Sequence, residues 1–137
     1  MKKYRISYYA GLTLSLLVGL WHFFVPWMFQ WHAYIPYDNL IVGADWVNFC
    51  FSAFLFGLSL LLLLWGGKVF ARNREAVTVY GFLTVIWILR VGLAIVEPWP
   101  LEPVAWAAYG QFAASVLIAL LLAVPLVKLL RTLRRNA

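Results

Sequence analysis

Four runs of the chain, roughly residues 6–28, 44–65, 77–96 and 104–127, stay apolar over about twenty residues or more. An α-helix rising 1.5 Å per residue needs about that length to cross some 30 Å of hydrocarbon. Inside a bilayer each backbone N–H and C=O must find its partner within the segment, so runs of this kind read as helices. In a chain of 137 residues the segments left between them are short. Short connections make consecutive helices antiparallel neighbours. The expectation is therefore one all-α domain, an integral membrane four-helix bundle running up-down-up-down. Composition points the same way: 65% of the residues are apolar and 12% charged, whereas soluble domains are about half apolar and about a quarter charged.

The net charge of +6 could suggest a nucleic-acid partner, but its placement argues otherwise. Lys2, Lys3 and Arg5 precede the first run. Lys68, Arg72 and Arg74 separate the second from the third, and Lys128, Arg131, Arg134 and Arg135 follow the fourth. Ten of the eleven basic residues thus share one side. The opposite connections carry only Asp38, Glu97 and Glu102. By the positive-inside rule the basic side, with both termini, is cytoplasmic. The Lys-Lys-x-Arg start imitates a signal peptide, yet Trp21-His22-Phe23-Phe24 follows where a small-residue cleavage site would be needed, so the first helix is expected to be retained.

Aromatic residues are distributed unevenly. Trp21, Trp27, Trp31, Trp46, Trp87, Trp99 and Trp106 fall toward the side away from the basic residues, with Tyr34, Tyr37 and Tyr109, while Trp65 alone marks the basic side. An interfacial belt would occupy both boundaries, so some of these rings are candidates to roof a pocket. The single cysteine, Cys50, excludes a disulfide framework and reads as a small buried hydrophobe.

The informative residues are polar ones within the spans. His22, Asn48, Arg90 and Gln111 come from four different helices, and counting along each places them about 8–10 Å below the same boundary. His22 shares a helix face with Gly11, Ser15 and Gly19, small residues that allow close helix approach. Gln111 shares one with Ala107, Ser115, Ala119 and Ala123. Asp45, Asn48, Ser52 and Ser59 form a stripe on the second helix. The three faces are expected to look inward. Arg90 is the costliest residue, at about 2.5–3.5 kcal/mol for a central membrane arginine on insertion scales. Asp45 is its first candidate partner, Glu97 the second, and the Trp87 ring a third contact. Pro26 has no amide hydrogen to give to the carbonyl of His22, so that oxygen needs water or a side chain.

Other chemistries find little support. His22 and His32 are ten residues apart, about 15 Å along a helix, too far to share one metal ion. No nucleophile stands beside a base, no glycine-rich phosphate loop is present, and four short helices leave little room for a pore.

The segment Gly19-Leu-Trp-His22-Phe23-Phe-Val-Pro26-Trp-Met-Phe29, followed by Ile35-Pro36, resembles the opening of DoxX-like proteins, with their G-x-x-H-F-x-x-P-x-x-F pattern and proline-bearing loop. The likeness covers the first third of the chain in residues and the remainder in architecture. Gly19, His22, Phe23 and Pro26 carry over; the family's second-helix glutamate does not, Asp45 and Asn48 standing about two turns earlier. The resemblance implies a small protein of the bacterial inner membrane, in a family some of whose members are linked to quinone-coupled oxidation.

The functional expectation is an accessory or ligand-binding module rather than a stand-alone enzyme. Its site would comprise His22, Asp45, Asn48, Arg90 and Gln111 with Trp87 and Tyr109, taking a quinone-like molecule or a lipid headgroup. The alternatives are a membrane subunit of a quinone-linked oxidoreductase and a purely structural subunit. No cofactor is firmly implied beyond that quinone. Membrane lipids, a homo-oligomer or a larger membrane complex are the expected partners.

Overall fold

A computed structural model describes residues 2–34, 36–99 and 105–134; Ile35, Glu102, Val104 and Arg135 of the sequence argument lie outside them. Among the described residues the chain forms helices and no strands: α1 (Lys2–His22), α2 (Val25–Met28), α3 (Trp31–Tyr34), α4 (Asp38–Leu64), α5 (Gly66–Phe70), α6 (Arg74–Val96) and α7 (Ala105–Arg134). Three of them, α4, α6 and α7, are long and apolar enough to cross a membrane.

The first expected span differs. Its helix ends at His22 instead of continuing to residue 28. Proline has a fixed φ and no N–H, so it fits the first turn of a helix better than its interior. Pro26 accordingly opens the short α2, and the chain bends at Phe23–Phe24. What remains as α1 carries Lys2, Lys3, Arg5, three tyrosines and His22, and it is less apolar than the other long helices. Gln30, at φ 49°, then turns the chain toward α3. At the other end Arg72, at φ 63°, finishes the turn after α5. Asn73 caps α6 by accepting from the Ala76 amide at 2.9 Å. Helix α4 begins at Asp38, earlier than expected, and α7 runs through Pro125 to Arg134.

Cross-helix hydrogen bonds give the relative directions. On α1, Tyr8 donates to the Leu62 carbonyl, Ser15 pairs with Ser59, and the His22 carbonyl accepts from Asn48. The α4 numbers fall as those of α1 rise, so these neighbours are antiparallel. Against α6 the numbers rise together: Tyr8 meets Tyr80, Ser15 meets Trp87, and His22 meets Arg90. Gly19 lets α1 and α4 approach closely, for a Cβ there would lie 2.8 Å from the Phe56 amide nitrogen.

The core is a column of Tyr8, Leu12, Leu55, Leu62, Tyr80, Leu83, Trp87, Ile118 and Leu122. A smaller cluster of Val25, Phe29 and Ala107 closes the end away from the basic residues, with Trp21, Trp31 and Trp99 packed on it. Much of the outer surface is also apolar: Val96, Leu64 and Val47 are 84%, 75% and 70% exposed. Soluble monomers rarely leave large contiguous apolar surface uncovered, whereas lipid-facing helices must. Cys50 belongs to that outer surface and not to the core, contrary to the sequence expectation.

Candidate functional site

The four long helices bring one polar group each to a single level. His22 closes α1 and is 4% exposed. From α6, Arg90 reaches across to it: Nη2 donates to His22 Nε2 at 2.9 Å and to Gln111 Oε1 at 2.7 Å, and Nε donates to Ser115 Oγ at 3.1 Å. A guanidinium has no lone pair, so His22 Nε2 must be the acceptor and the ring carries its proton on Nδ1. Ser115 in turn donates to the Gln111 carbonyl, which fixes the hydroxyl that Arg90 uses. Beneath the guanidinium lie the rings of Trp87 and Phe51, at 5.5 and 5.7 Å. Such contacts stabilise a desolvated cation by about 0.5–2 kcal/mol each.

Asn48 completes the layer from α4. Its Nδ2 donates to the His22 carbonyl at 2.8 Å. This is the oxygen that Pro26 leaves without a backbone donor, and a side chain satisfies it. One level toward the basic end, the Trp87 indole donates to Ser15 Oγ at 2.8 Å, and Ser15 pairs with Ser59 at 2.7 Å. The small-residue face of α1 therefore carries a polar seam as well as a close approach.

Two expected placements need correction. Asp45 does not meet Arg90; its Oδ2 lies 3.0 Å from His32 Nε2 on α3, in an exposed pair. Asp45 stands three residues before Asn48, about 4.5 Å nearer the helix start, and α3 brings His32 over it. Among the described residues Arg90 has no carboxylate within 4 Å, Glu97 included. Trp87, counted with the boundary rings, is fully buried. Tyr109 remains at the surface, apart from the hydrogen-bonded cluster.

Sequence reasoning passed over two contributors. Phe51 packs on both partners, edge-on to His22 at 5.4 Å and under Arg90; its position three residues after Asn48, on nearly the same helix face, was an available signal. Trp99 is the other. With Arg90, Gln111, Tyr109 and Phe112 it lines a cleft of about 350 Å³ between the ends of α6 and α7. Two buried donors there, Gln111 Nε2 and Trp99 Nε1, have no hydrogen-bond partner among the described residues. Buried donors left in this state are uncommon, because each costs about 1–3 kcal/mol. Asp45 and Asn48 border a separate, wider groove with Pro26, Trp27 and His32. Of the seven expected site residues, Arg90, Tyr109 and Gln111 line the first cleft and Asp45 and Asn48 the second, while His22 bridges Arg90 to Asn48 and Trp87 lies buried beside Arg90. No group of three His, Cys, Asp or Glu side chains gathers among the described residues.

Fold and site together define a helical membrane protein with a partly buried arginine held by neutral side chains. Comparison with protein-family models, curated proteins and solved structures matches nothing.

Proposed function

We propose that this chain is a small inner-membrane protein of bacterial type that binds an amphiphile bearing carbonyl or anionic oxygens, quinone-like in character, in the cleft between α6 and α7. On this reading the long helices form a four-helix, up-down-up-down membrane bundle with both termini cytoplasmic, and the cleft opens in the opposite leaflet. The observation that carries the reading is an excess of donors. Arg90 is cationic with no carboxylate beside it among the described residues, and two further buried donors, Gln111 Nε2 and Trp99 Nε1, border the same cleft unpartnered. A ligand supplying acceptors would satisfy all three. Tyr109, Phe112 and Trp99 offer ring faces for an aromatic or quinoid headgroup. The resemblance of residues 19–36 to DoxX-like proteins agrees with a quinone over a lipid headgroup. Membrane lipids, a homo-oligomer or a larger membrane complex provide the setting, the last including a quinone-linked oxidoreductase of which this would be the membrane subunit.

The test is titration of the purified protein with a short-chain soluble quinone, read by tryptophan fluorescence. Saturable quenching is expected from the parent chain. Arg90→Met and Gln111→Leu should each weaken it at least about tenfold, since each removes a hydrogen bond to an acceptor, while Asp45→Asn leaves it intact. Quenching that is linear in quinone, or unchanged in both variants, would overturn the reading.

One observation favours a second role for the same residues. The Arg90 side chain ties α1, α6 and α7 together through His22, Gln111 and Ser115, as a structural clasp would. In that case Arg90→Met lowers the unfolding midpoint while the chain binds no quinone at all.

A further inference from the structure

The opposite end of the molecule holds a second cleft, of about 580 Å³, where α7 passes the start of α1 and the turn after α5. Tyr4, Arg72, Lys128 and Arg131 stand around it, Val124 and Val127 form part of its apolar wall, and no acidic side chain lines it. The cations at this end of the chain differ in their contacts. Lys3, Arg5 and Lys68 lie over aromatic rings, those of Tyr4, Phe70 and Trp65, at 5.3, 5.1 and 4.7 Å. Arg72, Lys128 and Arg131 contact neither ring nor carboxylate nor hydrogen-bond acceptor among the described residues. Lys2 and Arg74 have no such partner either, but they stand outside the cleft, which gathers three of these cations in one place.

We infer that this cleft binds the phosphate of an anionic phospholipid, with an acyl chain along Val124 and Val127. Charge complementarity selects an anion, because three like charges held together repel one another until a counter-charge enters. The apolar wall selects an anion attached to hydrocarbon over a free one. Position agrees: α7 passes from its apolar stretch to Lys128 and Arg131 here, the depth at which a headgroup meets a helix end, and basic pockets between helices suit such headgroups. Tyr4 adds an amphipathic ring at the same level. The site lies at the far end of the molecule from Arg90 and does not depend on what that residue binds.

The experiment is native mass spectrometry of the full chain in detergent, offered phosphatidylglycerol or phosphatidylcholine with identical acyl chains. The parent protein is expected to retain phosphatidylglycerol selectively. Replacing Arg72, Lys128 and Arg131 together by Gln should lower retention at least about tenfold, each basic residue near a headgroup contributing several-fold. The control triple Lys2→Gln, Lys68→Gln and Arg74→Gln removes the same net charge and should retain the lipid. Should the first triple fail to fold by circular dichroism, the double change Lys128→Gln and Arg131→Gln carries the same comparison. Equal loss in the control would reduce the effect to a diffuse positive field and overturn the proposal, as would equal retention of phosphatidylcholine. Displacement of the lipid by millimolar inorganic phosphate would assign the cleft to a free anion instead.

Discussion

The hydrogen bond from Asn48 to the His22 carbonyl can be examined quantitatively, because the chain itself supplies the reason for it. Pro26 cannot donate to that oxygen, and Asn48 does so at 2.8 Å. Asn48→Leu keeps the size of the side chain and removes the donor. Interhelical hydrogen bonds in membrane proteins average about 0.6 kcal/mol and reach about 1.7, and a buried acceptor stripped of its partner costs about 1–3 kcal/mol. Without a backbone alternative the His22 oxygen belongs near the top of the first range, so a loss of about 1.5 kcal/mol is expected. In a Pro26→Ala background an amide is restored at residue 26 and can take over the same carbonyl. The Asn48→Leu change should then cost about 0.5 kcal/mol, leaving a coupling of about 1 kcal/mol between the two sites. The assay is reversible unfolding in mixed micelles, followed by far-ultraviolet circular dichroism, on the parent, both single variants and the double. A cost for Asn48→Leu that is the same in both backgrounds would refute the link between the proline and the asparagine.

Three further outcomes follow from the packing. Gly19→Ala should destabilise by about 1–3 kcal/mol, since the new Cβ would press on the Phe56 backbone, which cannot yield as a side chain can; Gly92→Ala, with nothing within 4 Å, should be neutral or stabilising in the same unfolding assay. Asp45→Asn should lower stability by less than about 1 kcal/mol, because the His32 pair is exposed, and the small loss should vanish in high salt. Arg90→Lys should fail to restore quinone quenching: a lysine ammonium cannot reproduce the planar fork that reaches His22, Gln111 and Ser115 at once.

Where sequence and structure part is instructive at particular residues. Periodicity alone found the small face of Gly11, Ser15 and Gly19 and the inward set of His22, Asn48 and Gln111, because helical spacing fixes which side chains share a face. It also found the freed carbonyl at His22, since proline's missing hydrogen is a covalent fact. It misplaced Asp45. Opposite charge and approximate depth made it the natural partner of Arg90, but one further turn along α4 and the path of α3 gave it His32 instead.

The sequence by itself determined that the chain is helical, that the second, third and fourth of its four apolar runs can cross a membrane as helices, and that an arginine lies among apolar residues where it must find partners. Those properties depend on apolar run length, backbone hydrogen bonding and proline geometry, all local to the chain. Only the tertiary structure decided who those partners are. Neutral acceptors from α1 and α7 reach the guanidinium while both nearby carboxylates stay away. That choice depends on bends at Pro26 and on how far each helix slides along its neighbour. A shift of a few ångströms changes every contact and leaves no trace in spacing.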